Sequence, residues 1–189
     1  MHLTLAQTLD RCLDIAGHPS LAFGLSERRM QTQALAFLPR QHYRSVLELG
    51  CGAGALGRRL SGRADAYLGL DGDADAIKAA GAEPSPMAAM EFRQALLPSD
   101  IPDREFDLVV LSDILHELRP DQIRHLARRI GEVAPAADLL CLRRMAFEEP
   151  GEAFRPQALL AASLGWPLTA SYLGTGFRID VFEHELVEA

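Results

Sequence analysis

Val46-Leu47-Glu48-Leu49-Gly50-Cys51-Gly52-Ala53-Gly54-Ala55-Leu56-Gly57 joins a largely apolar run to a cluster of glycines. An apolar run that ends abruptly in glycines reads as a buried parallel strand emptying into a tight turn. Glycines there let the backbone come close to a ligand. The helix-friendly residues from Ala55 to Leu60 then predict a helix whose N-terminal amides point at that ligand. The stretch therefore predicts a small-molecule loop.

Two kinds of loop share this glycine grammar. Gly52-x-Gly54-x-x-Gly57 satisfies the dinucleotide fingerprint as a bare pattern. Glu48, however, stands at the carboxyl end of the strand, where the ligand would lie. An ionised carboxylate about 4–5 Å from a pyrophosphate costs on the order of a few kcal/mol at an effective dielectric near 20, and the same interaction favours a cation. The run Glu48-x-Gly50-x-Gly52-x-Gly54 resembles the first motif of the class I (Rossmann-like) S-adenosylmethionine-dependent methyltransferases. Their cofactor carries a sulfonium and an α-ammonium and no phosphate.

Composition narrows the classes further. At 189 residues and 48% hydrophobic content, one compact unit with a full core is expected. A net charge of −7 and a pI near 5.3 disfavour a nucleic-acid partner. Cys12, Cys51 and Cys141 are odd in number and show no C-x-x-C spacing, which points to reduced thiols, a cytoplasmic location and no metal site. Asp10, Arg11 and Asp14 interrupt the N-terminal apolar stretch, so no signal-peptide core is expected. No apolar run approaches the roughly eighteen residues of a membrane span. The oligomeric state stays open.

The elements follow from periodicity. Leu5, Leu9, Cys12, Leu13 and Ala16 predict a first helix over 3–16, and a second is expected from Ser26 as N-cap to about Leu38. Ala66–Leu70 reads as a second strand ending at Asp71, about twenty residues past the loop, where such folds present a carboxylate to ribose hydroxyls. Asp73 and Asp75 read as first-turn acids of the next helix. The segment 81–89 is broken by Pro84 and Pro86. Met90–Arg93 is a short third strand, Phe106–Leu111 a buried fourth, and Asp121–Val133 a crossover helix with Pro120 at its start. Asp138–Leu142 forms the fifth strand, Pro156–Leu164 a helix, and Leu168–Leu173 with Phe177–Phe182 a final hairpin turned at Gly174-Thr175-Gly176. Arg124, Arg128 and Arg129 read as a solvated face, Arg143 and Arg144 as bordering the site, and Trp166 as core.

The sum is an α/β three-layer sandwich. Its seven-stranded sheet is mostly parallel and ends in an antiparallel hairpin, with an N-terminal helical cap over 1–40 and the methyltransferase-like unit over 41–189. Phe106-Asp107, the apolar run and Leu115-His116 resemble the fourth motif of the same family. The resemblance implies S-adenosylmethionine contacts at Glu48, Gly50, Cys51, Gly52, Asp71, Gly72, Gln94, Ala95 and Ser112. Gln94 stands where the family often has an acid beside the adenine. Leu115-His116-Glu117-Leu118-Arg119-Pro120-Asp121 resembles the Leu-His-Asp-Trp-Ser-Asp stretch of small-molecule O-methyltransferases, in which the histidine is the base. Leu118 replaces the Trp and Asp121 comes one position late. His116 is thus the candidate base, its ordinary pKa of about 6.5 suiting proton abstraction near neutrality. The expected activity is methyl transfer to a small-molecule oxygen: hydroxyl, phenol or carboxylate. The rivals are an RNA or protein methyltransferase, a nicotinamide-dependent oxidoreductase, and a non-catalytic nucleotide-binding protein.

Overall fold

The computed structural model describes residues 19–145 and 156–184, with side chains from residue 24 onward. The helix expected over 3–16 lies outside the described residues. Thirteen elements follow in order: α1 (Pro19–Phe37), β1 (Tyr43–Leu49), α2 (Ala55–Arg59), β2 (Ala64–Asp71), α3 (Ala74–Ala82), β3 (Ala89–Gln94), β4 (Leu108–Ser112), a 3₁₀ turn (Leu115–Glu117), α4 (Pro120–Val133), β5 (Asp138–Arg144), α5 (Pro156–Leu164), β6 (Leu168–Gly174) and β7 (Phe177–Glu183).

The seven strands form one sheet in the order β3-β2-β1-β4-β5-β7-β6. β1 pairs in parallel with β2 and β4, β2 with β3, and β4 with β5. β7 runs antiparallel to both of its neighbours. The closing hairpin therefore inserts its second strand between β5 and β6, leaving β6 at the edge.

Strict alternation along the central strands gives the sheet two apolar faces, which is why those strands read as continuous hydrophobic runs. On one face Leu47, Leu49, Val109, Leu111, Leu139 and Cys141 pack with Ile123, Leu126 and Ile130 of α4 and with Leu160 and Trp166. On the other, Val46, Tyr67, Leu108, Val110, Leu140 and Leu142 meet Met30 and Ala34 of α1, Leu38 just beyond it, and Leu56 and Leu60 at α2. Glu48 and Ser112 continue the rows of Val46 and of Leu108 and Val110 on this second face.

Two expectations are corrected. Helix α1 starts at Pro19, seven residues before Ser26, which is internal. Proline is tolerated in a first helical turn, and Met30 and Ala34, with Leu38 just past the last turn, anchor the helix to the sheet. Arg129 is not simply solvated. The 101–103 loop passes over α4, and the guanidinium donates to the Ile101 carbonyl (2.9 Å) and to Asp103 (2.6 Å).

Candidate active site

The strand order reverses between β1 and β4, and at this switch point the carboxyl ends of adjacent strands leave a crevice. The sheet brings the candidate residues to that edge in sequence: Gln94 ends β3, Asp71 ends β2, Glu48 and the glycines end β1, and Ser112 ends β4.

Glu48 is buried, 2% exposed, in a position where alternation would place an apolar side chain. Two hydroxyls compensate. Tyr67 donates to Oε2 at 2.6 Å and Ser112 to Oε1 at 2.6 Å, so the carboxylate ties β1 to β2 and β4. Burial still dominates. It raises the Glu48 pKa to about 7, against the lowering effect of the two hydrogen bonds and with a smaller push from the charge of Asp71.

The glycine loop is shaped by close approach. Gly50 sits at φ +79°, and a Cβ there would lie 2.4 Å from the Ser112 carbonyl oxygen and 2.3 Å from Ile114. Gly52 sits at φ +51° with nothing within 4 Å of where a Cβ would be, so space for a ligand opens above it. A Cβ at Gly57 would stand 2.3 Å from the Tyr67 ring, so this third glycine admits the ring that reaches Glu48.

The amides answer the choice between a diphosphate and a cation. The N–H groups of Gly50 and Cys51 donate to the Leu70 carbonyl (2.8 and 3.2 Å), and that of Gly54 to the Cys51 carbonyl (2.9 Å). Gly52 N–H donates to Asp71 Oδ2 at 2.8 Å. All four are spent inside the fold. α2 is only five residues long. Four loop amides are thus engaged before α2 begins, and the carboxylates at the strand ends contribute negative charge.

Asp71 accepts Gly52 N–H on one oxygen and Asp73 N–H (2.9 Å) on the other, leaving a lone pair on each. Asp73 caps α3, accepting from Asp75 and Ala76. Gln94 donates its amide N–H to the Gly72 carbonyl at 3.1 Å, which turns its acceptor oxygen outward. Ala95 is buried and donates to the Asp71 carbonyl (2.9 Å), and Gly72 is exposed. Acceptor oxygens not taken up by these bonds therefore line up along β2 and β3. The Cys51 thiol is buried, and burial, with the charges of Glu48 and Asp71, pushes its pKa up, so it is no nucleophile at neutral pH.

Beyond Glu48 a cavity of about 240 Å³ opens, walled by Glu27, Met30 and Gln31 of α1, by the loop 50–56, and by Ser112, Asp113, Leu142 and Arg144. Three of its charged side chains are acids and one, Arg144, is a base. Arg144 is ion-paired with Asp113 through Nε, and its backbone N–H donates to the same carboxylate at 3.0 Å. Asp113 itself is the one non-glycine residue with a positive φ among the described residues, at φ 60°. His116 stands apart from the cavity wall on the 3₁₀ turn. Its side chain is 45% exposed and its Nδ1 lies 3.7 Å from Asp113 Oδ1, longer than a hydrogen bond.

Sequence reasoning missed Tyr67 and Asp113 and, within the expected helical cap, the wall residues Glu27, Met30 and Gln31. For Tyr67 a signal existed in Gly57 within a helical stretch, and Gly69 within a strand marks a second close approach, to Cys51 and Phe92. A Cβ at Gly69 would meet Cys51 Sγ at 2.8 Å and Phe92 at 2.9 Å.

With this geometry in place, comparison with known proteins is direct. Residues 47–135 match a family described as a methyltransferase domain. A crystal structure of a Pseudomonas syringae protein assigned as a methyltransferase is 28% identical, covers 84% of this chain and 99% of its own, and superposes with a TM-score of 0.72. A complex of DhpI with SAH is 25% identical over 93% of each chain, with a TM-score of 0.68. The N-methyltransferase NodS from Bradyrhizobium japonicum, 19% identical over 83% of this chain and 95% of its own, shares the fold at a TM-score of 0.69. No curated protein matches the sequence. The matched segment spans the glycine loop, Asp71, Gln94 and the β4 edge; the chain has the class I methyltransferase fold and acts as an S-adenosylmethionine-dependent methyltransferase.

Proposed function

We propose that this enzyme transfers the methyl group to an oxygen of a small organic acceptor, with Glu48, Gly50, Cys51, Gly52, Asp71, Gly72, Gln94, Ala95 and Ser112 around the cofactor and His116 as general base. The observation that carries the small-molecule reading is the cavity. It holds about 240 Å³ and carries three acids, Glu27, Glu48 and Asp113, against one paired base. A wall of that charge repels a phosphate backbone, so it favours a small acceptor over RNA.

The chain's residues suit the cofactor's parts. Asp71 keeps a free lone pair on each oxygen for ribose hydroxyls, and Gln94 presents its amide oxygen to an adenine amino group. Glu48 provides negative charge where a sulfonium and an ammonium need it. When bound, S-adenosylmethionine supplies the activated methyl group itself. The protein aligns and dehydrates the reactants, so Met30, Leu56 and Leu142 serve by excluding water. His116 stands outside the cavity wall, so an acceptor hydroxyl would have to extend out of the cavity to reach it. The His116 imidazole would take the proton that the acceptor hydroxyl loses on methylation, and the nearby Asp113 carboxylate would stabilise the resulting imidazolium.

The alternative acceptor is an amine. Glu27 favours it, because this carboxylate on the α1 wall holds only Gln31 Nε2 (3.2 Å) among the described residues. Mass spectrometry of products from matched alcohol, phenol, carboxylate and amine panels decides between them. Methylation confined to amines would replace the oxygen reading.

Two variants test the assignments. Asp71→Ala is expected to weaken S-adenosylhomocysteine binding at least tenfold, about 1.4 kcal/mol, in isothermal titration. Unchanged affinity would remove Asp71 from the site. His116→Ala is expected to lower kcat at least a hundredfold while cofactor affinity stays within about twofold. Surviving turnover would leave the histidine no proton-transfer role.

A further inference from the structure

The Glu48 carboxylate is held by two hydroxyls, but the two are not equivalent. Ser112 ends β4 and lines the cavity, where a ligand can compete for it. Tyr67 does not line the cavity. It is fully buried in the middle of β2, opposite Val46 of β1, on the side of Glu48 away from the ligand. Its ring is fixed without its hydroxyl. The ring occupies the slot left by the missing side chain of Gly57 and packs edge-on to Phe92 with centroids 5.5 Å apart. A phenylalanine would fill that slot equally well. A buried hydroxyl costs free energy unless it is hydrogen-bonded, and this one has a single acceptor, Glu48 Oε2.

We propose that Tyr67 is a positioning residue for cofactor binding: its hydroxyl keeps the Glu48 carboxylate ionised and fixed beside the glycine loop, ready for the cofactor's positive charge. The inference rests on the reading that Glu48 meets that charge. The surroundings make a dedicated donor necessary. From the loop and the end of β2, Cys51 and Asp71 face Glu48, and Asp71 disfavours its ionised form. Across the cavity stand Glu27 of α1, Asp113 after β4, and Arg144 at the end of β5, whose charge is engaged by Asp113. Arg58 of α2 does not line the cavity, and its guanidinium donates to the Ala53 and Gly54 carbonyls (2.8 and 3.0 Å). Its guanidinium is 5.3 Å from the Phe92 ring and donates to the Ala80 carbonyl. No cation in this set pairs with Glu48, so the burial-raised carboxyl, near pKa 7, depends on hydrogen bonds for its charge.

The test is the pH dependence of S-adenosylhomocysteine affinity, by isothermal titration between pH 5.5 and 9, for the wild type and Tyr67→Phe. The wild type is expected to lose affinity below about pH 7. In Tyr67→Phe this acid limb moves up by at least half a pH unit, and the two proteins converge near pH 9, where Glu48 is ionised in both. In a Glu48→Gln background, Tyr67→Phe is expected to change affinity by less than twofold. A limb that stays in place, or a loss that is uniform across pH, would show a packing role and overturn the proposal. Incorporation of 3-fluorotyrosine gives the same test without a fold-threatening variant, since the more acidic phenol is a stronger donor. The limb then moves to lower pH, and no movement overturns the proposal. Should the wild type bind no S-adenosylhomocysteine at any pH, the cofactor reading beneath it fails instead.

Discussion

Glu48→Gln is expected to make the protein more stable and less able to bind its cofactor. The sign follows from the pKa. The folded-state value of about 7 lies above the reference 4.5, so the native state holds its proton more tightly than the unfolded chain. Ionisation therefore opposes folding as pH rises from about 4.5 to 7, and above 7 the full cost, about 3 kcal/mol, is in place. Glutamine is neutral throughout and keeps an acceptor for one of the two hydroxyls. Urea denaturation at pH 8 is expected to show the variant about 1–3 kcal/mol more stable, with the advantage gone below pH 5. Affinity for S-adenosylhomocysteine at pH 8 is expected to fall at least thirtyfold, about 2 kcal/mol, because a positive group loses its charged partner. A variant that is less stable at pH 8, or that binds unchanged, would mean that the carboxylate serves the fold alone.

The second large effect belongs to the loop. Gly50→Ala adds a Cβ at φ +79°, 2.4 Å from the Ser112 carbonyl oxygen. The backbone conformation alone costs on the order of 1 kcal/mol for a residue with a side chain. The contact is with backbone at the end of β4, which cannot rotate away, so β1 and β4 must separate at the switch point. The expected loss of stability is about 3–4 kcal/mol by chemical denaturation, with cofactor binding abolished. Gly52→Ala serves as the internal comparison. Its Cβ meets nothing within 4 Å, so stability falls only by about 1 kcal/mol, yet the methyl group fills the space the ligand needs and binding falls at least tenfold. Equal stability losses in the two variants would contradict the assignment of that space to the ligand.

Much of this fold is legible in the sequence because local signals and tertiary packing agree. Pro120 and Pro156 mark the starts of α4 and α5, and both helices end where the apolar spacing stops. The apolar runs at Leu47, Val109 and Leu139 are strands buried on both faces. Ser26 misleads for the opposite reason: it has the chemistry of a cap, but the helix is already under way, held by its contacts with the sheet. The placement of β7 between β5 and β6 leaves no local trace, since a hairpin reads the same on either side of its partner.

At the site, Glu48 and Asp71 are legible because a charge at the end of an apolar run is conspicuous. What those charges do to the loop is not. That Asp71 takes the Gly52 N–H depends on a register across two strands, and the positive φ of Asp113 depends on the 3₁₀ turn after β4. The wall that α1 gives the cavity comes from a crossing of elements far apart in the chain.

The central claim is that a buried carboxylate beside spent loop amides selects a cationic nucleoside over a diphosphate. A crystal structure of the chain soaked with S-adenosylmethionine and NAD together tests it most directly. Density for the methyl donor, its positive end lodged against Glu48 and its ribose on Asp71, is the predicted result. A dinucleotide with its phosphates over Gly50 and Gly52, and Glu48 shielded from it by Tyr67 and Ser112, would contradict the account.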